Sequence, residues 1–238
     1  MQTPTQTTPV SKCLDLAGYA ARMLSKFACQ AAFAALEDKM RAGAAELAAA
    51  QGEYEKAVKA ILPTRVDIKY ENYVSDRRIR LSQQRAEIAD GKRKGRILSL
   101  VFPEGSAPII RLFGASQVEA MTDLEGRLAA AQSFWPEAEA EKVELGVFRM
   151  RYQAALESRQ IAAQDARDLR AARNAVKDRF LTMYVEVMAR VEAELPRDRV
   201  SQALFFDEVR TRSALATADT NEGDVVGSGM TEGQRQVA

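Results

Sequence analysis

The 238-residue chain is 47% hydrophobic but only 7% aromatic, with 13 glycines and 7 prolines, a profile of long helices rather than of turn-rich sheets. Its net charge of +1 lacks the basic excess of a dedicated nucleic-acid binder. Histidine is absent, which excludes His-dependent triads, histidine metal sites and the commonest proton shuttle near neutral pH.

Residues 1–9 have neither a basic start nor an apolar stretch, so they read as a disordered polar leader rather than a signal peptide. No apolar run approaches the ~20 residues of a membrane-spanning helix, and a cytoplasmic, reducing location is the expectation.

The first long helix is predicted over about 10–62, opened by Thr8-Pro9 and stopped by Pro63. Apolar positions recur at three-four spacing through Leu16, Met23, Phe33, Met40, Leu47, Tyr54 and Ile61, the pattern of a coiled-coil seam. Alanines between them permit close helix approach. Cys13 and Cys29 lie sixteen residues apart on this helix, ~24 Å at 1.5 Å per residue, too far to bridge. Both read as small buried apolar residues.

A second helix is expected from Arg65 to Asp90, with Tyr70, Val74, Leu81 and Ile88 on its apolar face and Gly91 ending it. The segment 91–115 departs from that pattern. It holds the basic run Lys92, Arg93, Lys94 and Arg96, followed by an apolar hairpin over about 97–113. Ile97, Leu98, Leu100 and Phe102 face Ile109, Ile110 and Phe113 across a Pro103–Ser106 turn. Both faces of each arm are apolar, so the hairpin reads first as a plug that seals the bundle. As functional surface it is a partner-docking knob or a membrane-dipping element with the basic run as collar; its arms fall short of the ~9–11 residues of a spanning strand.

A third helix is predicted from Ser116, where Ser116 and Glu119 form a capping-box pattern. The second long helix runs over about 136–195, opened by Pro136 with Glu137, Glu139 and Glu141 at its positive dipole end and closed by Pro196. Its seam runs Leu145, Phe148, Tyr152, Ala166, Phe180 and Val187, interrupted by Arg159 and Arg173. A short amphipathic helix follows at 198–210, and 211–238 read as a disordered tail.

At 1.5 Å per residue the long helices would span ~80 and ~90 Å. All-α architecture is therefore expected: a single elongated antiparallel helical bundle or coiled coil over 10–210, with the 91–115 segment inserted as an elbow. In architecture alone, the plan of long helices plus an apolar hairpin resembles the α-helical pore-forming toxins; no motif is shared and no residue carries over.

Two charge blocks matter. Residues 76–96 carry Arg77, Arg78, Arg80, Arg85, Lys92, Arg93, Lys94 and Arg96 against Asp76, Glu87 and Asp90, eight minus three, or +5. Residues 119–144 carry seven acids against Arg127 and Lys142, or −5. Blocks of equal size and opposite sign are expected to face each other. Arg159 and Arg173 occupy seam positions, where buried polar groups set register. Glu37, Glu46, Glu53 and Glu55 are the carboxylates within their reach if the long helices run antiparallel.

No catalytic, cofactor or metal motif emerges; Asp165/Asp168 lack the histidine of di-iron bundles and Gly91–Gly95 is no phosphate loop. The expected function is non-enzymatic, a coiled-coil protein that self-associates as a homo-oligomer or scaffolds other helical proteins. A membrane-active helical protein binding anionic membrane through 97–113 is the alternative, and a nucleic-acid-binding bundle ranks third.

Overall fold

The computed structural model describes residues 3–91 and 95–207. Lys92, Arg93 and Lys94, and the tail expected at 211–238, lie outside the described residues. The fold is an all-α helical bundle. Its helices are α1 (Val10–Lys26), α2 (Ala31–Asp90), α3 (Arg96–Val101), α4 (Ala107–Ile110), α5 (Ala115–Ala131), α6 (Ala138–Glu194) and α7 (Arg199–Leu204). Among the described residues there is no strand. The chain forms two compact units: Ala49–Asn174, and the segments on either side, to Ala48 and from Ala175.

The first long helix differs from expectation at both ends. It breaks at 27–30, where the Phe27 N–H donates to the Leu24 carbonyl and the Gln30 N–H to the Phe27 carbonyl. Neither glycine nor proline marks this turn. Its cause is tertiary: the Phe27 and Phe33 rings close on Phe205, with centroids 4.8 and 5.3 Å away. The break places Cys29 in an exposed turn while Cys13 is buried, so only one cysteine is a core residue. At the other end, Pro63 does not stop the helix, because α2 continues to Asp90. Lys59 and Pro63 are both exposed, so the carbonyl that the proline ring leaves without a donor belongs to a stretch of helix open to solvent. The Thr64 hydroxyl also donates to the Ile61 carbonyl at 2.8 Å.

In the flanking-segment unit, α1 lays Cys13, Leu16, Ala17, Ala20 and Leu24 against Phe33, Met40 and Leu47 of α2 and Phe180, Tyr184 and Val187 of α6. Lys39–Glu186 (2.6 Å) and the Arg179–Glu46 pair show that α2 and α6 run antiparallel here. Residues 3–9, expected to be disordered, form a turn with Pro4 and Thr8 buried. Lys177 holds it by donating to the carbonyls of Gln6 at 2.8 Å and Thr8 at 2.5 Å.

In the central unit, α5 packs beside the antiparallel α2–α6 pair, with Met121, Leu124 and Leu128 buried. Gly114 occupies the N-cap of α5 at φ +68° and no side chain caps it. The capping box on Ser116 and Glu119 is therefore not formed. Gly114 instead donates its N–H to the Tyr152 hydroxyl at 2.8 Å, and its carbonyl accepts from Gln117 and Val118, so the helix starts one residue early.

The 97–113 segment is not a two-armed strand-like hairpin but the two short helices α3 and α4. Asp90 anchors the first of them, accepting from the Ile97 and Leu98 N–H groups at 3.0 and 2.7 Å. A Cβ on Gly95 would collide with that carboxylate.

Candidate interaction surface

Two features of the central unit bear on function: a buried charged hub between α2 and α6, and apolar stripes on the sides of those helices turned away from each other.

The hub is built around Glu141. Its Oε2 accepts from Arg78 Nη2 at 2.5 Å and from the Ser82 hydroxyl at 2.8 Å, and its Oε1 accepts from Arg85. Arg78 Nη1 also pairs with Glu144 at 2.6 Å. Arg78 and Ser82 stand four residues apart on α2, one turn, so both reach the same point on α6. The side chains of Arg78 and Glu141 are only 4% and 3% exposed. The basic and acidic blocks thus meet inside one unit, with Arg149–Glu125 at 2.6 Å tying α6 to α5 as well. Glu141 lies in the first turn of α6, where the sequence marks it only as a partner of the helix dipole; its side chain turns inward. No local signal reveals this role, because it depends on the α2–α6 register.

Around the hub, Gln117 bridges α5 to α2 by accepting from Asn72 at 2.5 Å and donating to Asp76 at 2.6 Å. Burial raises the Asp76 carboxyl above its ordinary pKa, offset in part by the Gln117 hydrogen bond and by Arg80. An open groove of about 640 Å³ between α2 and α6 is lined by Val74, Arg77, Leu81, Arg85 and Phe148 among others.

The stripes come from faces that the sequence assigned differently. Tyr70, Leu81 and Ile88, expected to face the core, are 56%, 39% and 78% exposed. The buried face of α2 is Ile68, Ser75, Ile79, Ser82 and Ala86. At about 100° per residue, Leu62, Val66, Tyr70 and Tyr73 project on roughly the opposite side, and all four are more than half exposed. On α6, Val143, Val147, Met150 and Ile161 are likewise exposed. They lie across the helix from buried Leu145 and Tyr152.

The residues of the expected hairpin divide. Ile97, Leu98, Phe102 and Ile109 are buried in a core shared with α5, and Ile110 packs against it. Leu100 and Phe113 are 38% and 63% exposed.

The seam arginines do not find the carboxylates expected for them. Arg173 is half-buried, donates to Gln51 at 3.3 Å and lies over the Tyr54 ring at 4.8 Å. Arg159 has a buried Nη1 without a hydrogen-bond partner among the described residues. Glu37 and Glu53 pair with Arg41 and Lys56 of their own helix, Glu46 with Arg179, and Glu55 accepts from Gln51. A buried unsatisfied donor costs about 1–3 kcal/mol. Arg159→Leu is therefore expected to raise the unfolding free energy by about 1 kcal/mol. Arg173→Leu is expected to lower it by about 0.5–1 kcal/mol through loss of the ring contact. Urea titration separates them; equal responses of the same sign would contradict this distinction.

Among the described residues, no three His, Cys, Asp or Glu side chains gather where a metal ion could be held. No helix among them is long and apolar enough to cross a membrane. No family model matches the sequence, and comparison with curated proteins and with solved structures finds no significant match.

Proposed function

We propose that this chain is a non-enzymatic helical interaction protein that self-associates and thereby scaffolds a larger assembly. The observation that carries the reading is the α2 stripe of Leu62, Val66, Tyr70 and Tyr73, more than half exposed on the side opposite the helix's buried face. Isolated exposed apolar residues are ordinary, but a contiguous row on one helix face marks a surface that another helix covers. The α6 stripe supports the same reading from the other side of the helix pair.

Light scattering across a concentration series tests it. The wild-type protein should exceed the 26.2 kDa of one chain and grow heavier with concentration. Leu62→Asp/Tyr70→Asp should run at the mass of one chain with unchanged helicity, since both positions are exposed. A wild-type protein that stays at one chain's mass up to its solubility limit would refute self-association.

A further inference from the structure

Resting on that self-association reading, we infer that the outward face of α2 docks on the outward face of α6 of a second copy, so that copies add head to tail. Charge selects the pairing. Lys59, Lys69, Arg77 and Arg80 stand on the outward side of α2 with its apolar stripe, all exposed. None of the four makes an ion pair among the described residues. Of the acids, Asp67 and Asp76 lie at the edges of that side, and Glu55, one turn before Lys59, accepts from Gln51, so the four cations stay in excess. On α6 the stripe of Val143, Val147, Met150 and Ile161 is accompanied by exposed Glu139, Glu157 and Asp168. Two cations stand at its margins: Arg151 is engaged by Glu71 at 2.7 Å and Lys142 pairs with Glu139 at 3.0 Å, so Glu157 and Asp168 are the acids without an ion pair among the described residues. One face is therefore basic and apolar, the other acidic and apolar. Two α2 faces would repel each other, as would two α6 faces, whereas α2 against α6 matches both charge and apolar surface.

The geometry also sets the mode of growth. Each copy carries both faces, and a head-to-tail contact uses only one face of each partner. A heterologous contact of this kind leaves each added copy with an open face. Assembly then continues instead of closing as a dimer.

Charge reversal with mixing tests the inference. Lys59→Glu/Lys69→Glu reverses the α2 face and Glu157→Lys/Asp168→Lys reverses the α6 face; all four positions are exposed, and circular dichroism checks that both variants fold. Each variant alone should sit at the 26.2 kDa of a single chain. Their equimolar mixture should regain the wild-type mass distribution, because each variant presents the face the other has lost. If either variant assembles alone like the wild type, or if the mixture stays at one chain, the docking mode is wrong while self-association stands. A wild-type mass that saturates at two chains overturns head-to-tail growth. A wild type that never exceeds one chain removes both this inference and the reading beneath it.

Discussion

Glu141→Ala is expected to destabilise the central unit by about 3–5 kcal/mol, the range for removing one partner of a buried ion pair. The substitution leaves the Arg78 guanidinium, whose side chain is 4% exposed, with only Glu144 on the solvent side. Arg78 Nε already lacks a hydrogen-bond partner among the described residues, so no reserve acceptor stands nearby. Ser82 also loses its acceptor. Because the penalty comes from stranding a charge rather than from losing attraction, the double substitution Arg78→Met/Glu141→Leu should recover most of the loss. Apolar replacement of whole buried pairs is often neutral or stabilising. Urea unfolding of the two variants beside the wild type measures both changes. A loss below about 1 kcal/mol for Glu141→Ala would place this pair with ordinary surface ion pairs and refute the hub.

Pro63→Ala should have the opposite sign. A proline inside a helix is disfavoured by about 3 kcal/mol relative to alanine, through the missing N–H and the clash of its ring with the preceding turn. Greater freedom of the unfolded alanine variant returns about 0.4–1 kcal/mol of that. The net expectation is a gain of about 2 kcal/mol. Thermal unfolding followed by circular dichroism measures it. An unchanged or lower midpoint would show that the proline shapes α2 for packing against α6, where Ile68 is buried just beyond it.

Those two sites mark where the sequence is readable and where it is not. The second long helix is legible almost to the residue, 136–195 against Ala138–Glu194, because Pro136 and Pro196 bracket it and nothing between them breaks a helix. The first is misread twice for related reasons. Pro63 is a strong local stop signal that the surrounding helix overrides. The turn at Phe27–Gln30 has no local signal, since it exists to bring three phenylalanines together from distant parts of the chain. The apolar run 97–113 is too short for its periodicity to distinguish strand from helix, and Gly95, the Pro103–Gly105 turn and Gly114 divide it into two short helices. Pairing of the charge blocks follows from sign alone. The choice of Glu141 as hub does not, because only the register of α2 on α6 decides which of the acids faces Arg78. The same dependence misassigned the face of α2: Tyr70, Leu81 and Ile88 form a fair amphipathic row, but Ile68, Ile79 and the small residues Ser75, Ser82 and Ala86 are the ones inside.

The clasp of Lys177 on the carbonyls of Gln6 and Thr8 has a consequence for the order of events during synthesis. The central unit is one uninterrupted stretch, Ala49–Asn174, and its partners are all present once Asn174 has left the ribosome. The other unit joins segments from opposite ends of the sequence, so the apolar face of α1, met early by Phe33, Met40 and Leu47, must wait for Phe180, Tyr184 and Phe205 before its cover is complete. Closing so long a loop is entropically slow. A nascent chain therefore carries Leu16, Ala20 and Leu24 only partly covered through most of its elongation, the interval in which exposed apolar surface is most prone to aggregate.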